Sequence, residues 1–136
     1  MIEFAALLFV ATLFGGMMLY SFGFAPIVFS ALPAADAGGF IRAAFPWYYL
    51  FVIVTAGLGG SILLRSNAKS AVSMLAIAAS AVYARQVLMP RINAARDRQS
   101  LGDAVAKRHF GQLHGLSVAL NFVQIFAAGY ALYRFL

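Results

Sequence analysis

The chain has 136 residues, 63% hydrophobic and 10% charged, with a formal net charge of +6 and no cysteine. Together with a mean hydropathy of +0.87, this composition excludes an ordinary soluble domain and points to an integral membrane protein. Disulfides, thiolate metal centres and cysteine nucleophiles are excluded as well.

Four apolar segments, about 4–32, 45–64, 70–89 and 113–133, each reach the roughly 20 residues that a helix needs to cross the hydrocarbon core. Residues 1–136 are therefore expected to form a single all-α membrane domain, a compact bundle of four transmembrane helices. The first segment is too long for a perpendicular span, so it is expected to tilt, to bend near Gly15, Gly16, Gly23 or Pro26, or to project from the membrane. Ala35-Asp36-Ala37 faintly resembles a signal-peptide cleavage site. Glu3 stands where basic residues belong, however, and the apolar stretch is about twice the usual length, so the first helix is expected to stay in the mature protein. Pro33 and the pair Gly38-Gly39 predict a turn before the second helix.

The second segment opens on Phe45-Pro46-Trp47-Tyr48-Tyr49-Leu50-Phe51. Pro46 suits a first helical turn and the aromatic residues suit the headgroup boundary, while one or both tyrosines could instead turn inward as hydrogen-bond donors. Further along, Ala56-x-x-x-Gly60 and Gly57-x-x-x-Ser61 predict close helix packing. Ser73, Ala76, Ser80 and Ala84 are expected to form the matching small-residue face of the third segment. Arg85 lies about one turn inside the end of that segment, where it either snorkels to the headgroups or joins a polar pocket.

Residues 90–112 are the one hydrophilic stretch of any length, and they are basic. Beside membrane helices such charge is explained by topology and anionic lipid headgroups, so nucleic acid is not an expected partner. Gly102 predicts two helical extensions with a turn between them. The termini and the second loop carry Arg65, Lys69 and Arg134, against Arg42, Arg91, Arg96, Arg98, Lys107 and Arg108 on the other side. Six against three places both termini outside and loop 90–112 in the cytoplasm, for a bacterial-type inner membrane.

The fourth segment carries His114, Ser117, Asn121 and Gln124 at steps of three, four and three, which on a helix form one polar stripe. Polar side chains in a bilayer need partners, so a ligand pocket is expected from Arg85, His114, Ser117, Asn121 and Gln124 with Tyr48. No Asp or Glu lies inside the helix cores, which argues against a carboxylate-driven proton pump. His109 and His114, five residues apart on one segment, cannot make a bis-histidine haem site; a single axial histidine has no specific support. No methionine has motif spacing to His114 for a soft metal passage, and no catalytic triad or carboxylate pair is present. No cofactor, no metal ligand set and no enzymatic activity are expected.

Three blocks carry a family resemblance: Leu32-Pro33 followed by Phe40 and Phe45-Pro46-x-Tyr48; Ala84-Arg85 followed by Pro90-Arg91; and Phe110-x-x-x-His114-Gly115-Leu116-Ser117-x-x-x-Asn121. In order and spacing the chain resembles the transmembrane-protein-205-like family, a four-helix membrane family of bacteria and eukaryotes whose domain is largely of unknown function. The resemblance implies a four-span architecture and weight on Arg85, Pro90, Arg91, His114, Gly115, Ser117 and Asn121. It departs from the eukaryotic pattern in a longer Arg85 to Pro90 spacing and a shorter loop before Phe110. Eukaryotic relatives have been linked to resistance against metal-containing drugs, which favours transport. Two readings follow: a small permease or exporter whose polar pocket takes a small solute or metal ion, or a non-transport accessory or assembly subunit. Membrane lipids are the expected partners, and a homo-oligomer stays open.

Overall fold

The computed structural model describes residues 1–136 as four long helices without a strand. They are α1 (Ile2–Ala31), α2 (Ala34–Leu63), α3 (Ala68–Ser100) and α4 (Ala104–Tyr133), each long and apolar enough to cross a membrane. Helices of 30 to 33 residues run to about 45–50 Å, well beyond a hydrocarbon core of about 30 Å. The surplus lies mainly at the end where α2 and α4 begin and α3 finishes, so the helices start earlier, or end later, than the apolar segments alone indicate.

Local chemistry accounts for each break. Leu32 precedes a proline and turns extended, at φ −115° and ψ 149°. Asn67 caps α3 by accepting a hydrogen bond from the Ser70 amide, and Asp103 caps α4 by accepting from Val105 and Ala106. Between α3 and α4, Gly102 takes φ +90°, a left-handed conformation that a side chain resists.

The Gly38-Gly39 pair does not mark a turn: α2 is already under way at Ala34. Gly38 instead permits close approach of α3, since Arg96 Nη1 donates to the Gly38 carbonyl oxygen at 2.5 Å and a Cβ at Gly38 would collide with that guanidinium. One turn on, Arg42 donates to both carboxylate oxygens of Asp97, at 2.6 and 3.2 Å. This pair lies outside the apolar, membrane-spanning segments. There the Arg42 guanidinium holds the Asp97 carboxyl below its ordinary range.

Both α1 and α3 are interrupted by a π-helical segment, Leu19–Phe24 and Ala84–Leu88 respectively. Each ends two residues before a proline, Pro26 or Pro90. A proline lacks the N–H for the i−4 carbonyl and its ring crowds that carbonyl. A widened turn immediately upstream absorbs the misfit without ending the helix. The expected bend of α1 near Pro26 therefore takes this form.

The core seam joins α2 to α3. Ala56 and Gly60 are buried in it, and a Cβ at Gly60 would lie 2.9 Å from Leu75 Cγ and 3.1 Å from Met74 Cβ. The companion motif does not pack this way: Gly57 faces open space and Ser61 is exposed, its hydroxyl donating to the Gly57 carbonyl at 2.8 Å. On α3 the buried face runs through Ser70, Ala71, Met74, Ile77, Ala81 and Ala84, with Ala76 exposed. The face anticipated from Ser73, Ala76, Ser80 and Ala84 is thus rotated, because Met74 and Ile77 supply more dispersion contact in the seam than the small residues beside them. Large apolar side chains such as Phe4, Phe29, Trp47 and Phe126 remain exposed around the bundle, as a lipid-facing surface requires.

Candidate functional site

The α4 stripe is tied to all three other helices. Ser117 is buried and lies 3.1 Å from the Tyr49 hydroxyl of α2. Asn121 Oδ1 accepts from the Tyr48 hydroxyl at 2.5 Å, while Asn121 Nδ2 donates to Ser21 Oγ of α1 at 2.8 Å. One turn deeper, Gln124 Nε2 donates to Ser80 Oγ of α3 at 2.8 Å, and the Ser80 hydroxyl in turn donates to the Ile77 carbonyl at 2.9 Å. The helical period sets this pattern: positions 117, 121 and 124 share one face, and each meets whichever helix lies opposite at its depth.

Beside this network a cavity of about 230 Å³ opens between α1, α2 and α4. Its polar lining is Ser21, Tyr48, Tyr49, His114, Ser117 and Asn121, with Tyr20 contributing its ring. No lining residue is Asp, Glu, Lys or Arg, and His114 supplies the one imidazole there. Its ring is exposed and stacks on Phe110, centroids 5.7 Å apart. The π segment creates the space: Tyr20 and Ser21 sit on it, and beyond it the stretch Ala25–Ala31 packs on α2. Phe22 and Phe122, both lining residues that stay exposed, meet across the α1–α4 gap at 5.9 Å between centroids.

Tyrosines dominate the inner wall. Tyr20 stacks on Tyr48 with centroids 4.1 Å apart and planes at 20°, and Phe45 stacks on Tyr49 at 5.6 Å. Both Tyr48 and Tyr49 turn inward and are buried, whereas Trp47 is left facing out at 73% exposure, in the place of an interfacial residue. The Tyr20 hydroxyl is buried and finds no hydrogen-bond partner among the protein's own groups.

The remaining sequence candidates divide. His114, Ser117, Asn121 and Tyr48 line the cavity together. Gln124 lies below it, engaged with Ser80. Arg85 stands apart on the π segment of α3, half-buried, with its Nε buried and unpartnered. Pro33, Pro90, Arg91 and Gly115 are exposed and outside the lining, Phe110 reaches the site only through His114, and Phe45 is part of the α2 wall while Pro46 is outside it. Tyr20 and Ser21, which line the cavity, do not figure among the sequence candidates, and Ser80, which pairs with Gln124, figures there only as part of a small-residue face; Tyr20 and Ser21 are thus the two that sequence reasoning missed. The dipeptide Tyr20-Ser21, the first polar pair within the apolar first segment, is the signal that identifies them.

For a metal ion the cavity offers one imidazole and no carboxylate or thioether, and no group of three His, Cys, Asp or Glu residues gathers anywhere in the fold. Its polar lining is made of hydroxyl, amide and imidazole groups. No curated protein and no solved structure matches the chain. A family model does match, over residues 8–101: a domain of unknown function, DUF4149. The matched stretch takes in α1, α2 and α3, hence Tyr20, Ser21, Tyr48, Tyr49 and Arg85, and ends before the α4 stripe. Spanning well over half of the sequence, this match means that the chain, with its four helices long and apolar enough to cross a membrane, belongs to the DUF4149 family, a domain of unknown function.

Proposed function

We propose that the protein is a small permease- or exporter-like membrane protein whose cavity between α1, α2 and α4 holds a small uncharged solute. The observation that carries this reading is the cavity itself, which places His114, free on its exposed side, next to the tied groups of Ser117 and Asn121. Polar groups gathered at a void within an apolar bundle are what a binding site requires. Beyond the stripe the bundle is closed, with Leu13, Met17, Val52 and Met74 fully buried. Passage across the membrane therefore needs a second arrangement of the helices, and the two proline-linked π segments are the natural points of bending.

The finer kinship to the transmembrane-protein-205-like family rests on the three sequence blocks and joins the proposal on their strength. The excess of Lys and Arg at the α2, α3 and α4 overhang supports a cytoplasmic face there and termini outside, in a bacterial-type inner membrane. Lipid, or a second copy of the chain, covers the exposed apolar surface.

The accessory-subunit reading is favoured by a different observation: Ser117, Asn121 and Gln124 each have a protein partner, as helix locks would. His114→Ala separates the two. In a binding site it changes the molecules retained on detergent extraction, read by native mass spectrometry, while thermal stability holds. In a purely structural stripe nothing retained changes.

A further inference from the structure

We infer that the cavity recognises the oxygen-bearing ring of a neutral, tailed molecule dissolved in the bilayer, a quinone-type head entering sideways between α1 and α4. The inference rests on the pocket reading above and names its substrate class. Size is the first argument. A cavity of about 230 Å³ exceeds the roughly 150 Å³ void that accepts benzene and falls below the roughly 300 Å³ where sites for drug-sized ligands begin. One substituted six-membered ring fits, and a multi-ring molecule does not.

Charge and polarity narrow the class. Without a lining carboxylate, ammonium or guanidinium, an ionic head has no counter-charge. Among the groups that retain donor capacity are the second Nδ2 proton of Asn121, with the Ser21 hydroxyl beside it, and an N–H of His114, on opposite ends of the stripe segment. Two donors separated by two helical turns suit two acceptor oxygens across a ring. Tyr20, which also lines the cavity, holds a further donor, a buried hydroxyl with no partner among the protein's own groups. The mouth supplies the place for a tail. Phe29, Val118 and Phe122 line the cavity yet remain 57%, 40% and 40% exposed on the lipid-facing surface, so the polar interior opens through an apolar lip.

The test uses the intact protein in detergent micelles and native mass spectrometry with three probes: decyl-ubiquinone, its tail-less dimethoxy-methyl-benzoquinone head, and decylbenzene. Saturable retention of decyl-ubiquinone, with much weaker retention of the other two, is expected. Val118→Trp, which fills the lip without breaking a hydrogen bond, is expected to abolish it. Tyr20→Phe is expected to weaken binding about fivefold while raising the melting temperature of the free protein, because it removes an orphaned hydroxyl; a merely structural tyrosine moves both in the same direction. Equal retention of decylbenzene overturns recognition of the ring, and equal retention of the tail-less head overturns lateral entry. If no quinone is retained but Val118→Trp changes what co-purifies, the substrate class is wrong and the pocket stands. If neither occurs, both fall.

Discussion

Asn121 joins two helices to a third, so its removal measures how much the polar network holds. In Asn121→Leu, which keeps the branched shape while being bulkier, the hydrogen bond accepted from Tyr48 and the one donated to Ser21 are both lost. Side-chain hydrogen bonds between membrane helices average about 0.6 kcal/mol and reach about 1.7 kcal/mol, so losing two costs about 1 kcal/mol at the average and about 3 kcal/mol at the upper limit. Reversible unfolding in mixed micelles, titrated with a denaturing detergent, reads this loss. A double-mutant cycle with Tyr48→Phe isolates one bond, and its coupling energy is expected near 0.5–1.5 kcal/mol. A coupling indistinguishable from zero would refute the network as drawn, since Tyr48 and Asn121 would then be independent neighbours.

Glycine substitutions give two paired contrasts. Gly60→Ala forces Leu75 and Met74 apart and is expected to lower thermal stability, whereas Gly57→Ala, facing open space, gains up to about 1 kcal/mol of helix propensity. By the same reasoning Gly38→Ala displaces Arg96 and destabilises the overhang, while Gly39→Ala does not, which amide hydrogen exchange at the start of α2 can follow. The Arg42–Asp97 pair has a pH sign. Because the folded carboxyl titrates below its unfolded value, its stabilisation is present above the unfolded carboxylate range and lost as pH falls through the folded one. Asp97→Asn is expected to flatten the acid limb of a stability-against-pH curve, and an unchanged limb would remove this pair from the account of the overhang.

The fold was legible because four long apolar stretches leave a chain few alternatives in lipid, where every backbone group must be satisfied within its own helix. The stripe was legible for a related reason: polar residues at helical spacing stand out against Phe, Leu and Val. Partners were harder to read. Nothing in the local sequence says that Ser117 meets Tyr49 or that Gln124 meets Ser80, since those contacts depend on helix rotation and relative depth. Rotation was also where the small-residue reasoning slipped on α3. With Ala, Ser, Met and Ile all round that helix there is little contrast to fix its face, and packing chose Met74 and Ile77. Arg85 illustrates the same limit, because a shared depth with His114 does not place two side chains in one cavity. Gly38-Gly39 looked like a turn from composition alone, yet both residues are helical, and an arginine 58 positions away packs on Gly38 and donates to its carbonyl.

Extraction of the wild-type protein directly from its native membrane, beside Val118→Trp, tests the cavity as a binding site most directly. Native mass spectrometry is expected to find a neutral molecule of a single mass bound to the wild type and missing from the variant, with both proteins melting at nearly the same temperature. Identical bound species in the two would mean that the space between α1, α2 and α4 holds no ligand, and the hydrogen-bonded stripe would then be a device for locking helices together.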